Sequence, residues 1–387
     1  MGVGARVGVT AIATAAMATS TLPLYGVSAL GPILVEDLGL SRPQLGSLVA
    51  VTIGAAALLS MAAGRLIDRI GARGGLLGLA GAIVVTLFAA SLADSYPWLL
   101  AALAVAGVGQ ALANPATNVL IRARIPPPGD GPAVGYKQSG VQISALLSGL
   151  VLPWVAAEHG WQWALRTSAA VALVVVVAVP LVVAPAPRVH SGGRQPLPRW
   201  LFRLTLYCFV LATANAAVAA YLPLFAVQDL GFRPGVGGAV LACFGAAGVF
   251  GRVWWTRRAA GGRDRPATML TGLACAAAGC ALPLMMATLP HLEFLVWVGA
   301  FGVGGSATAA YAVAILDVVR NAGDDTSRAS GLVSVGFFLG FVAGPVGFGF
   351  LTGQAGYRAG WIAVAGTLVL AAAAGLPFRR ATAPAAG

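Results

Sequence analysis

The chain has 387 residues, 58% of them hydrophobic and only 9% charged, with a mean hydropathy of +0.86. Soluble domains carry about 25% charged residues, so a water-soluble fold is excluded and lipid is the natural solvent for the outer faces. The net charge of +12 is no nucleic-acid footprint, because the basic residues lie between apolar segments and build no basic domain.

A spanning helix needs about 20 apolar residues. Breaking the chain at charged and Pro/Gly-rich clusters predicts an all-α integral membrane protein of twelve transmembrane helices, at 8–35, 44–63, 75–93, 97–121, 134–157, 161–183, 201–228, 236–256, 267–289, 292–317, 328–352 and 357–377. The first stretch follows Arg6 like a signal peptide, but it runs on through Pro23, Tyr25 and Leu34. That is too long for a signal core, so a retained helix is expected. A basic segment at 184–200, rich in Pro and Gly, divides the chain into halves at 1–183 and 201–387.

Charge tests the topology. With the N-terminus in the cytoplasm, 20 of the 24 Lys and Arg fall inside, leaving Arg42, Arg166, Arg233 and Arg358 outside. The acids split evenly, as the positive-inside rule allows. Both termini are therefore expected in the cytoplasm of a multi-pass inner-membrane protein. The chain also repeats: Val35-Glu36-Asp37-Leu38-Gly39-Leu40 is echoed 192 residues later by Val227-Gln228-Asp229-Leu230-Gly231-Phe232. At the same offset Gly46 meets Gly238 and Pro153 meets Pro345. Two pseudo-symmetric six-helix bundles follow, with a solute site expected between them near the midplane.

Between the second and third helices lies Gly64-Arg65-Leu66-Ile67-Asp68-Arg69-Ile70-Gly71-Ala72-Arg73. Gly64 and Gly71 suit a tight loop. Arg65, Arg69 and Arg73 hold it at the cytoplasmic face. Asp68 is an acid among positives, read either as a solvated turn residue or as a latch. This string resembles the loop signature of the major facilitator superfamily. The resemblance implies two bundles rocking about a central site, with Asp68 approaching the start of the eleventh helix and stabilising the outward-facing state. The second half departs from the pattern, since Ala260 stands 192 residues after Asp68.

The resemblance further implies that helices 1, 4, 7 and 10 line the cavity. Their polar residues supply the candidates: Tyr25 on the first; Gln110, Asn114 and Asn118 on the fourth; Asn215 and Tyr221 on the seventh; Tyr311 on the tenth. Asn114 and Asn118 are one turn apart and share a face, and Pro115 loosens the helix between them. In the fifth helix Tyr136-Lys137-Gln138 leads to Gln142, one turn beyond Gln138. Arg252 stands late in the eighth helix. Lys137 and Arg252 have two readings: snorkelling to headgroups, or attracting an anion into a low-dielectric cavity.

No Asp or Glu falls at the middle of any of the twelve stretches, so a protonatable coupling carboxylate is not evident and a coupling proton is left open. The expected function is secondary transport of a small solute, leaning toward an organic or inorganic anion, by a monomer in contact with membrane lipid. The competing reading is proton-coupled efflux of a drug or metabolite. Efflux antiporters of the resembled family carry an Arg about four residues before a Gly-x-Gly in helix 4; here Leu103 precedes Gly107-Val108-Gly109.

The four cysteines and three histidines form no ligand cluster, so no metal or cofactor is expected. No nucleophile-elbow, zinc or phosphate-loop motif is present, which argues against a membrane enzyme. A non-transporting sensor would need an output domain. Trp154, Trp161, Trp163, Trp297 and Trp361 are expected as interface anchors.

Overall fold

The computed structural model describes residues 3–125, 130–184, 198–260, 266–321 and 326–375. Ten continuous helices account for nearly all of them: α1 (Val3–Leu38), α2 (Arg42–Ala90), α3 (Tyr96–Arg124), α4 (Asp130–His159), α5 (Trp161–Val182), α6 (Arg199–Gln228), α7 (Pro234–Ala260), α8 (Pro266–Met286), α9 (Leu295–Asn321) and α10 (Thr326–Ala374). Most of the segment at 184–200 lies outside the described residues.

α2 and α10 each hold 49 residues, about 74 Å at 1.5 Å per residue, against a hydrocarbon core of ~30 Å. Each therefore crosses twice. The breaks are at Gly71 (φ 75°) and Gly356 (φ 77°), in the left-handed region that only glycine enters cheaply. Eleven stretches are long and apolar enough to span a membrane, and the last of them, Gly331–Ala374, contains the Gly356 break. The fold is thus twelve crossings in two six-helix bundles. The first and last described residues lie at the same end of the molecule, here called the terminal end; the opposite end is the distal end.

The turn after the second crossing differs from expectation. Gly64 does not bend the chain; the helix runs through Gly64–Ile70 and breaks at Gly71 alone. The cause is packing: Ala63 and Ile67, one turn apart, are both buried against Ala116, Leu120 and their neighbours, so the helix gains by continuing.

Burial follows position in the bundle. In α6, 83% of the most apolar window is buried, against 33% in α5. α6 is therefore a central helix, and α5 turns most of its surface outward, where Leu173, Val174 and Leu181 are exposed. Small residues bring the bundles together. A Cβ on Gly46 would overlap the Pro345 carbonyl oxygen, and one on Gly238 would overlap the Gly149 carbonyl and the Pro153 ring. The two pairs exchange roles between halves, which is the spatial meaning of the 192-residue echo.

Two tryptophans depart from the anchor role. Trp161 and Trp361 are at most 1% exposed. Trp361 meets Phe225 edge-on at 5.1 Å and Phe348 at 4.8 Å, so it fills the core of the second bundle. Trp154 and Trp163 are exposed as expected.

A buried cationic cluster between the halves

α3 presents Asn114, Thr117 and Asn118 at helical spacings of three and four, hence on one face. Lys137 of α4 is fully buried against that face. Its ammonium donates to Asn118 Oδ1 at 2.5 Å, Thr117 Oγ1 at 3.0 Å and Asn114 Oδ1 at 3.3 Å. Three N–H donors thus meet three oxygens. The Gln138 side-chain amide donates to the same Asn114 oxygen at 3.3 Å.

Arg252 of α7 reaches from the other half. It is 5% exposed, and its Nη1 donates to the Gln138 carbonyl at 2.7 Å. Its Nε is buried with no partner. Tyr25 of α1 and Tyr311 of α9 lie close enough to feel the Arg252 charge. Tyr25 Oη donates to Gln142 Oε1 at 3.0 Å, while Gln142 Nε2 is buried and unpartnered, lying over Gly248 of α7. Tyr311 stacks on Phe337 at 3.8 Å, and its hydroxyl is 3.3 Å from Ser334.

Among the described residues no carboxylate pairs with Lys137 or Arg252; their recorded partners are neutral. Both side chains end inside the bundle, so the snorkelling reading does not describe them. A buried cation without a counter-charge is costly.

The cluster thus gathers Tyr25, Asn114, Asn118, Lys137, Gln138, Gln142, Arg252 and Tyr311. Thr117, absent from the sequence candidates, completes the ammonium nest; its spacing from Asn114 was the available signal. Asn215 is buried and Gln110 half-buried, each with an unpartnered side-chain oxygen, and neither has a hydrogen bond to the cluster.

Tyr221 belongs elsewhere. Its hydroxyl donates to the Arg42 carbonyl at 2.5 Å at the distal end. There Arg42 of the first half inserts into the second: Nη1 donates to the Thr352 carbonyl at 2.6 Å, and Nε to Gln228 Oε1 at 3.1 Å. Its guanidinium lies 4.2 Å from the Tyr357 ring, whose hydroxyl donates to the same Gln228 oxygen at 3.0 Å. Ser28 Oγ of α1 donates to the Ala219 carbonyl of α6 at 2.5 Å, a further bond between the halves. At the terminal end, Arg65, Asp68 and Arg69 are exposed, Gly64 and Arg73 are partly buried, and Asp68 has no hydrogen bond or ion pair among the described residues. A cavity of about 40 Å³ beside Trp200, Arg203, Tyr207 and Asp317 is far below the ~300 Å³ of a small-molecule site.

Twelve crossings in two bundles around a buried polar cluster are the architecture of a membrane transporter. The Major Facilitator Superfamily model matches residues 9–313 and 204–387, and the chain belongs to that family. An uncharacterised MFS-type transporter of Mycobacterium tuberculosis is 25% identical over 98% of this chain and 86% of its own length. The hexuronate transporter of Escherichia coli K12 is 28% identical over 38% of this chain and 34% of its own length. The galacturonate transporter of Dickeya chrysanthemi is 29% identical over 38% of this chain and 43% of its own. Among solved structures, an inward-facing bacterial homolog of the human lysosomal transporter Spinster superposes with a TM-score of 0.75 at 16% identity, covering 97% of both chains.

Proposed function

We propose that this transporter moves a small organic anion across the inner membrane by alternating access, with a sugar acid as the leading candidate. The observation that carries the reading is the pair of buried cations, Lys137 and Arg252, one from each half and neither matched by an acid. An anion between them supplies the missing charge, and the low-dielectric surroundings strengthen the attraction. The named substrates of the Escherichia and Dickeya relatives are sugar carboxylates, which supports the same class. Leu103, at the position where the efflux pattern carries arginine, is buried in apolar core, which favours the anion over the efflux reading.

The basic residues gathered at the terminal end make that end cytoplasmic. The Arg42 closure then lies on the outer face. Asp68 is the latch of the opposite conformation.

The test is thermal stabilisation of the purified protein by a panel containing D-galacturonate, D-gluconate, the neutral sugar D-galactose and a lipophilic amine. Stabilisation by the carboxylates alone is expected. Stabilisation by the amine with no response to any carboxylate contradicts the reading.

A further inference from the structure

The two buried cations are not equivalent, and the difference narrows the solute. Lys137 is spoken for: three acceptor oxygens of α3 occupy its three N–H groups at 2.5–3.3 Å. It ties α3 to α4 and has its charge alone to add. Arg252 is incompletely used, because Nη1 is held by the Gln138 carbonyl while Nε is buried and bare.

A second bare donor stands beside it. Gln142 is 1% exposed, and Tyr25 holds its Oε1. That contact leaves Nε2 directed at Gly248, one helical turn before Arg252 on α7. Gly248 has no side chain to intervene: a Cβ there would overlap the Gln142 amide. Two buried donors, one from each half, thus lie within a helical turn of each other along α7, Gln142 Nε2 over Gly248 and Nε on Arg252 itself. Each is expensive to leave unmade, and one carboxylate has an acceptor oxygen for each.

We infer that Arg252 Nε and Gln142 Nε2 form the seat for a single carboxylate, and that the transported solute is a monocarboxylate rather than a dicarboxylate. This rests on the anion reading above and deepens it. Only one cation has a free donor, so a second carboxylate would be desolvated without a hydrogen-bonded partner. The seat also spans the halves, so filling it links α4 to α7.

The experiment compares D-galacturonate with galactarate, its dicarboxylate counterpart, by calorimetric titration of the full-length protein. Galacturonate is expected to bind about tenfold or more tightly than galactarate, and Arg252→Lys, which keeps the charge but loses the fork, is expected to weaken galacturonate about tenfold. Gln142→Leu, similar in size and neutral, should do the same. A melting temperature near wild type certifies each variant; the wild-type comparison needs no variant at all. Equal or tighter binding of galactarate overturns the single-carboxylate seat while leaving the anion reading intact. So does wild-type affinity in folded Arg252→Lys and Gln142→Leu. Binding of neither acid overturns both.

Discussion

Gly46 of the second crossing packs directly on the carbonyl of Pro345 in the eleventh, and 192 residues on, Gly238 packs on Pro153 and Gly149. The two contacts are the same joint made twice by a chain that repeats itself. At these joints the backbones touch, and glycine leaves no side chain between them.

A side chain there should therefore act on the conformational equilibrium. Gly46→Val inserts methyls against backbone, and overpacking of this kind costs about 1–3 kcal/mol. That penalty falls only on the conformation in which the joint is closed. Transport should drop, and spin labels at the distal end should report wider separations between halves. Gly272→Ala, where a Cβ meets nothing within 4 Å, should leave transport unchanged and not lower stability, since alanine is favoured over glycine in a helix by about 1 kcal/mol.

Arg42 makes the matching electrostatic case. It joins the first half to Thr352, Gln228 and Tyr357 of the second. Arg42→Met removes every polar arm while keeping a long side chain. Hydrogen bonds to a charged group are worth about 1.5–3 kcal/mol each, so the distal closure should open measurably. The readout is faster alkylation of a cysteine placed at Ser28, which is buried between the halves against the Ala219 carbonyl. An unchanged rate would show that the closure is held by packing alone.

For Lys137, substitution by Gln should lower anion affinity without a large loss of stability. Its partners are neutral, so the change orphans no charge and relieves the cost of a buried cation, while the glutamine amide keeps two donors for the α3 oxygens; a melting temperature at or above wild type is expected. Affinity for every monoanion should decline together, because the lost quantity is charge and not a direct hydrogen bond to the solute. Titration of galacturonate and of inorganic phosphate in the same variant separates the two effects.

Asp68 is unpartnered in the conformation described. Asp68→Asn should accordingly leave solute affinity near wild type and slow the full transport cycle. Parallel calorimetry and proteoliposome uptake measure the two; equal loss in both would assign Asp68 a different role.

The spans were legible because each must present about 20 apolar residues to lipid, and the two-fold repeat because glycine and proline mark joints in both halves. The Lys137 site was partly legible: Asn114 and Asn118 lie one turn apart, and that spacing alone implies a shared face. Thr117 was hidden by commonness, since a helical threonine usually bonds back to its own helix, as Thr117 also does to Ala113.

Arg42 was read only as a charge on the outer side, because its partners lie 186 and 310 residues away and no local pattern announces them. The helix that carries Tyr221 points to the solute site; its height along α6 puts it instead at the closure. Trp161 and Trp361 sit at crossing ends as anchors do, and only the neighbouring helices decide that they face inward.

The most direct test of the central claim is counterflow in proteoliposomes preloaded with D-galacturonate, following entry of labelled D-galacturonate and labelled D-galactose. Transport through a cationic seat predicts saturable entry of the acid, reduced in Arg252→Lys in line with its weaker binding, with no entry of the neutral sugar above protein-free vesicles. Equal entry of acid and sugar, or undiminished entry of the acid in Arg252→Lys, would contradict it.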